Sequence, residues 1–384
     1  MRFAYLSQGK IYLKDGSGPA RLVESKYAAE TRRRALEMEQ RNAWKTEGRG
    51  AQFMRGGALW GAAQQALELP AQVTGLARGC AEGQLVYSLD TRDVSGVFRL
   101  GDQGCEEQRL LHTADFRVRE VCGDARAGKI AFVLAHRDGT SAIATMNHDG
   151  GELAELTQGD TQDMAPRWTP AGDGIVYQSA GIGRNQAGVA VGRGPFVIEK
   201  LNLQNGEVET LAEEPNSDLL GPKVAGDGAL WYIRRPYTPP NQKTHPLRAV
   251  LDLLLLPFRI IYAFFQYLNF FSAKYTGKFL TSGGGAAKEA DVRQMMIWGN
   301  LVEASRQNVG KSEETPDLVP ASWQLVRQST GGERTTVAKN VLTFDLGGNG
   351  EVLYSNGNAI FCRDAAGETQ RVEKTSFIQH VVAL

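Results

Sequence analysis

Short segments that alternate apolar with polar residues recur along most of the chain, and a turn rich in glycine, aspartate or asparagine follows each of them. The clearest copy covers residues 164–213, where an apolar strand at 175–179 precedes an alternating strand at 196–203. Asn205 and Gly206 then form a dipeptide that is typical of tight β-hairpins. The period of two predicts half-buried β-strands rather than helices.

Parts of the same order of strands and turns are found at 83–100, 128–156 and 350–363, and residues 226–233 have the pattern of another second strand. A unit of roughly 40 residues with four short strands is typical of one blade of a β-propeller. The repeat therefore predicts an all-β protein in which the whole chain, 1–384, forms a single propeller.

The two ends of the chain complement each other in this scheme. Segments 2–6, 10–13 and 21–23 have the pattern of a second, third and fourth strand, with no first strand before them. Segment 377–382 supplies a spare apolar strand. Joining these strands in one blade removes free sheet edges, which promote aggregation. We therefore expect a six-bladed β-propeller closed by its N- and C-terminal strands.

Residues 169–174 have the sequence TPAGDG and precede an apolar strand, while Leu156 and Thr157 end the repeat before them. This arrangement resembles the TolB-type, WD-like propeller repeat, in which Ser-Pro-Asp-Gly precedes the strand and Leu-Thr ends the unit. The resemblance covers most of the chain outside two interruptions. It implies a propeller fold and, as the usual role of that family, protein–protein interaction.

The first interruption covers residues 25–70 and is expected to be a helical and flexible insertion. Residues 27–45 are charged and rich in strong helix formers, which predicts a solvated helix. Residues 48–61 combine glycines with apolar side chains, a mixture that often becomes ordered against a partner.

The second interruption, residues 235–320, is expected to separate the second and third strands of one blade. Its segment 247–271 is mostly apolar, but Asp252, Arg259 and Gln266 are spaced seven apart and would line one narrow helical stripe. Charged groups near the centre of a bilayer are costly, which argues against a membrane-spanning helix. The pattern predicts an amphipathic helix at 247–271 and a second helix at 288–307.

Charge distinguishes this insertion from the rest of the chain. Lysine and arginine total 43, as do aspartate and glutamate, but residues 235–280 contain six cations and one acid, a local net charge of +5. An apolar face with basic charge suits an anionic membrane surface. Packing within the protein and docking of a protein partner are the two alternatives. The candidate binding residues are Leu254, Phe258, Arg259, Ile261, Phe264, Phe265, Tyr267, Leu268, Phe271, Lys274 and Trp298.

Catalytic and metal-binding motifs are not found in the sequence. It has no Gly-x-Ser-x-Gly element, its four cysteines form no Cys-x-x-Cys pair, and its five histidines lack metal-ligand spacing. We therefore expect no catalytic residues, no cofactor and no metal. Balanced charge argues against a nucleic-acid partner. Residues 1–9 lack the apolar core of a signal peptide, so a cytoplasmic location in a bacterium is expected.

The function expected from these patterns is a non-catalytic, protein-interaction scaffold that uses its second insertion for docking. A membrane-anchored adaptor, peripheral on the inner face of the cytoplasmic membrane, is one alternative. A propeller enzyme with its active site in the central channel is the other. It would need a ring of acids or histidines on the inner strands, and segment 116–121 shows no such set.

Overall fold

The computed structural model describes residues 1–16, 18–31, 33–34, 37, 71–91, 94–101, 106–238, 294–297, 300–303 and 317–384. One compact unit contains Met1–Tyr237 and Gln294–Leu384, and a second contains Thr238–Arg293. Apart from its first residue, the second unit lies outside the described part of the chain. The described fold is all-β, with one short helical segment.

The strands are short, as the repeat predicts. The first nine are β1 Arg2–Ser7, β2 Lys10–Asp15, β3 Arg21–Val23, β4 Ala71–Arg78, β5 Leu85–Thr91, β6 Ser95–Leu100, β7 Glu107–Thr113, β8 Arg117–Asp124 and β9 Lys129–Ala135. The next nine are β10 Ser141–Asn147, β11 Ala154–Glu155, β12 Thr161–Trp168, β13 Gly174–Arg184, β14 Ala190–Arg193, β15 Val197–Asn202, β16 Val208–Ala212, β17 Ser217–Val224 and β18 Leu230–Pro236. The remainder are β19 Gln294–Ile297, β20 Asn300–Glu303, β21 Gln324–Gln328, β22 Arg334–Lys339, β23 Thr343–Leu346, β24 Val352–Ser355, β25 Ala359–Arg363, β26 Thr369–Lys374 and β27 Ile378–Ala383.

Most strands belong to four-stranded units. Four such sheets have the orders β27-β1-β2-β3, β4-β5-β6-β7, β17-β18-β21-β22 and β23-β24-β25-β26. A nine-stranded sheet contains β8 to β11 and the group β12-β13-β15-β16, with β14 added to β13. These two halves meet through one parallel pair, Ser141 with Gln162. The C-terminal strand β27 pairs antiparallel with the N-terminal strand β1, so both ends of the chain contribute to one sheet.

Each four-stranded unit has a buried side and an exposed side. Its first strand is largely buried, and its last strand is largely exposed, as in β17 and β22. We call β4, β8, β12, β17, β23 and β27 the inner strands. Hydrophobic side chains fill the space between successive sheets. Phe3 and Tyr5 of β1, for example, pack with Leu353 of β24 and Ile360 of β25.

The TPAGDG turn has the local structure that its sequence predicts. The Thr169 hydroxyl donates to the Asp173 carboxylate at 2.6 Å and accepts the Gly174 N–H at 3.2 Å. Gly172 lies at a φ of +75°, a left-handed conformation that glycine tolerates readily. The turn delivers the chain from β12 directly into β13.

Two helical insertions are not supported by the structure. The described residues hold one short helical segment, at 26–31, 33–34 and 37, inside the first interruption. It begins where the Ser25 hydroxyl accepts the Ala28 N–H at 3.0 Å, a typical N-cap. Glu30 and Arg34 form an ion pair one turn apart. The rest of the predicted first insertion, 38–70, lies outside the described residues.

The helix predicted at 288–307 is wrong over its described part, which forms a β-hairpin. β19 and β20 pair antiparallel, with Ile297 opposite Asn300 and a two-residue link between them. Gly299, which lies between these two strands in the sequence, would cost a helix interior about 1 kcal/mol relative to alanine. The apolar residues that suggested one helical face also fit two short strands, because short apolar runs suit either structure.

Candidate functional site

The inner strands bring polar groups together at the centre of the fold. Among them β27 contacts β4, β4 contacts β8, β8 contacts β12, β12 contacts β17, and β23 contacts β27. Four of these strands carry a β-bulge at a similar place, at Thr74, Glu120, residues 165–166 and residues 221–222. A bulge re-aims the side chains that follow it. Glu120, Ala165 and Gly221 accordingly have φ values of +43°, +54° and +60°.

Two cations follow the two proline-containing bulges. Pro166 precedes Arg167 on β12, and Pro222 precedes Lys223 on β17. Proline is tolerated in an inner strand at a bulge because the ladder hydrogen bond is already interrupted there.

The buried ion pair of Lys223 and Asp345 joins three inner strands. Lys223 Nζ lies 2.5 Å from Asp345 Oδ1 and donates to the Phe344 carbonyl at 2.6 Å. Asp345 Oδ2 accepts the Ala383 N–H of β27 at 2.8 Å. Arg78 of β4 lies 4.0 Å from the same carboxylate. The pair therefore links β17, β23 and β27 and faces a cation on β4.

Burial and neighbouring charge shift the titration of this pair. The pKa of Lys223 is lowered from 10.5 to about 8, mainly by burial and also by the charges of Arg167 and Arg78, against the opposing effect of Asp345. Burial would raise the pKa of Asp345, but the charges of Lys223 and Arg78 outweigh it and hold that pKa below its usual value. Asp345 therefore stays ionised at neutral pH.

Two more buried titratable groups interact with Arg167, whose charge also acts on Lys223. Burial, with the charges of Arg167 and Lys223, lowers the pKa of His380 to about 3, so its imidazole is neutral at pH 7. The Glu120 carboxylate on β8 accepts a hydrogen bond from the backbone N–H of Ala165 on β12. Burial raises the pKa of Glu120, although this hydrogen bond and the charge of Arg167 oppose the shift.

A cavity of about 1140 Å³, the central cavity, opens at the C-terminal ends of all six inner strands. Its lining includes the strand-end residues Arg78, Asp124, Trp168, Val224, Leu346 and Val382. Arg167, Lys223 and Asp345 also line it, and the last two are 7% exposed. The cavity thus reaches down to the buried ion pair.

A second charged cluster lies at the other end of β17, where the chain leaves the sheet. Asp218 is 2% exposed and accepts hydrogen bonds from Arg193 at 2.9 and 3.0 Å and from Arg235 at 2.8 and 3.0 Å. Burial would raise the pKa of Asp218, but these two arginines lower it. β13 and β14 pair antiparallel as a hairpin, and Arg193 at the end of β14 is held in this cluster.

The predicted docking residues are not among these groups. All eleven, from Leu254 to Lys274 together with Trp298, lie outside the described residues, and the helix predicted at 247–271 does too. Over the described ranges, no cluster of three or more His, Cys, Asp or Glu could hold a metal ion. No helix within those ranges is long and apolar enough to span a bilayer.

Sequence reasoning missed the buried polar groups of the inner strands. The sequence showed no ring of acids or histidines on the inner strands, but Glu120, Asp345 and His380 are each buried on one of these strands. Each strand contributes only one or two such residues. The repeated order of proline then cation, at Pro166 and Pro222, was the one available signal.

Comparison with known proteins supports a TolB-like fold. No protein-family model matches the chain. The Tol-Pal system protein TolB of Jannaschia sp. (strain CCS1) is 27% identical over 162 residues, which cover 39% of this chain and 35% of that relative. The chain therefore matches about a third of its curated relative's length.

Two solved structures resemble the whole chain. TolB from Acinetobacter baumannii is 11% identical with a TM-score of 0.52, over 99% of this chain and 65% of that one. A chain of the nidogen/laminin complex is 9% identical with a TM-score of 0.52, over 100% of this chain and 98% of that one. At these identities the structural likeness concerns the fold alone.

Proposed function

We propose that this chain, which is a TolB-type β-propeller repeat protein, is a non-catalytic protein-interaction scaffold whose partner docks on residues 239–316. The main observation that supports this proposal is the pairing of β18 with β21. Residues 230–234 pair with 324–328 in one sheet although about 90 residues of chain separate the two strands. The sheet is continuous although a long segment of chain separates its two central strands, and segments inserted into rigid frames commonly carry function.

The frame itself is proposed to be a closed ring of six blades. Six four-stranded units and the pairing of β1 with β27 support this number. The ion-paired Asp218 cluster supports a firm attachment of the excursion, because Arg235 lies at the end of β18 and its guanidinium lies 4.9 Å over the ring of Trp323, just before β21. The curated relative's description as a Tol-Pal system protein agrees with a protein-binding role.

Site-specific photocrosslinking tests the docking part of the proposal. A benzophenone side chain at Phe264 in living cells should yield a discrete crosslinked protein. The matched control places it at Val208 on the outer strand β16, which is 52% exposed. Crosslinking of the same protein from both positions, or from Val208 alone, would contradict the assignment.

Membrane docking is a second candidate, and the net charge of +5 over residues 235–280 favours it. Phe264→Glu should then move the protein from the membrane fraction to the supernatant, because it puts a charge on the apolar face. Ser272→Glu adds the same charge at a polar position and should leave fractionation unchanged. Unchanged fractionation of both variants would refute this candidate. The cytoplasmic location remains a proposal that fractionation of the cell tests directly.

A propeller enzyme is the third candidate, favoured by buried titratable groups next to the central cavity. It predicts turnover in a hydrolase and lyase panel that Asp345→Asn abolishes, or a stoichiometric metal on elemental analysis. Absence of both in the folded protein would leave the scaffold as the better account.

A further inference from the structure

The charges that line the central cavity balance over the whole cavity. Around the buried pair of Lys223 and Asp345, however, cations outnumber acids. Five cations and five acids line it, namely Arg78, Arg126, Arg167, Lys223 and Arg327 with Glu82, Asp124, Asp227, Asp345 and Glu351. Several of these acids are already engaged. Asp227 pairs with Arg327 at 2.7 Å, and Asp124 accepts the Ala127 N–H at 2.6 Å.

Three cations converge on one acid near the buried ion pair. We call Arg78, Arg167 and Lys223 the basic cluster. Asp345 directs one oxygen to Lys223 and the other to the Ala383 N–H, and it makes no hydrogen bond with Arg167. The cluster with Asp345 carries a net charge of +2 at neutral pH.

Of the three cations, Arg167 has its positive charge least neutralised by a neighbouring acid. Its two hydrogen bonds both leave from Nη1 and reach backbone carbonyls, of Pro166 at 2.8 Å and of Val121 at 3.3 Å. Among the described residues it meets no carboxylate within ion-pair distance. A guanidinium carries five N–H donors in a planar fork that matches carboxylate and phosphate oxygens.

An orphaned donor lies beside the cluster. Trp231 stands opposite Lys223 in the β17–β18 register and lines the same cavity. Its indole Nε1 is buried and has no hydrogen-bond partner among the described residues. A buried indole N–H normally finds an acceptor, because leaving it unpaired is unfavourable. Arg167 and Trp231 thus both have free donors for which the described residues supply no acceptor.

We propose that the central cavity binds a small organic anion through a carboxylate or phosphate group held by Arg167, Arg78 and Lys223. The volume of about 1140 Å³ exceeds what a single inorganic ion fills and lies slightly above the range of typical small-molecule sites, roughly 300–1,000 Å³. Charge-assisted hydrogen bonds from arginine supply both strength and orientation. The site lies at the opposite end of β17 from Arg235, so it is independent of docking on residues 239–316.

Isothermal titration of the full chain with citrate and with inorganic phosphate tests the site. Arg167→Gln should weaken binding of the preferred anion by at least about tenfold, which corresponds to about 1.4 kcal/mol. Arg327→Gln is the matched control, because Arg327 lines the same cavity but already pairs with Asp227. It should change the affinity by less than about twofold. Citrate binding would indicate a carboxylate ligand, and phosphate binding a phosphorylated one.

The proposal is overturned if neither anion binds, if the two variants lose affinity equally, or if only an oligoglutamate peptide binds. Arg78→Gln provides a second variant should Arg167→Gln fail to fold, because the Arg78 side chain is 50% exposed. It should weaken binding of the same anion, and unchanged binding in Arg78→Gln would count against the cluster.

Discussion

Replacing Lys223 with methionine should lower the free energy of unfolding by about 3–5 kcal/mol at pH 7, the usual cost of removing one partner of a buried ion pair. The loss arises because Asp345 would remain ionised and buried, with the Ala383 N–H and the more distant charges of Arg78 and Arg167 to stabilise it. Urea denaturation measures the effect. Arg327→Met breaks an exposed pair, with side chains 40% and 56% exposed, and should cost less than about 1 kcal/mol.

The double variant Lys223→Met with Asp345→Asn separates the loss of charge compensation from the loss of packing. Asparagine keeps an oxygen for the Ala383 N–H but carries no charge, so the double variant should recover more than half of the stability that Lys223→Met loses. A double variant as unstable as the sum of the single variants would show that the two side chains act independently.

Acidification should destabilise the wild type more than a His380→Gln variant. The pKa of His380 is about 3 in the folded protein against 6.5 for the unperturbed group, so between these pH values the unfolded chain binds a proton that the folded chain does not. Stability therefore falls as the pH decreases below about 6.5. At pH 5 protonation of His380 in the unfolded chain should lower the free energy of unfolding by roughly 2 kcal/mol, because each pH unit below 6.5 costs about 1.36 kcal/mol.

Urea denaturation of both proteins at pH 7, 6 and 5 checks this prediction. Asp345 and Asp218, whose pKa values are lowered, also lose stabilising interactions in acid, but they do so in both proteins. The charged groups that act on His380 are Arg167 and Lys223, which stay protonated over this range. The difference between wild type and variant thus isolates His380. Parallel pH dependences would refute the buried neutral imidazole.

The strand repeat could be predicted from the sequence because it depends on local chemistry. Residues 169–174 specify their own turn through the Thr169 hydroxyl, and Ser25 specifies the start of the short helix in the same way. The hairpin of β19 and β20 could not be predicted with equal ease, since nothing local except Gly299 distinguishes it from a helix. Local polar signals were informative, whereas short apolar runs were ambiguous.

The polar centre could not be predicted because its members are far apart in sequence. Lys223 and Asp345 are separated by 122 positions, and each looks like an ordinary polar residue in a short strand. The bulges at Glu120 and Ala165 also interrupt the alternation of buried and exposed residues. The sequence pattern therefore does not show which residues of the inner strands point inward beyond each bulge. The docking residues at 254–274 remain a prediction.

The most direct test of the scaffold proposal compares the intact chain with a variant in which residues 241–314 are replaced by a short Gly/Ser linker. The linker keeps Asp317, whose carboxylate accepts a hydrogen bond from Asn356 at 2.7 Å. Quantitative crosslinking in cells should show that the variant loses its protein partner, while urea denaturation should show an unfolding free energy within about 0.5 kcal/mol of wild type. A folded variant that keeps the same partner would contradict the proposal that residues 239–316 carry recognition.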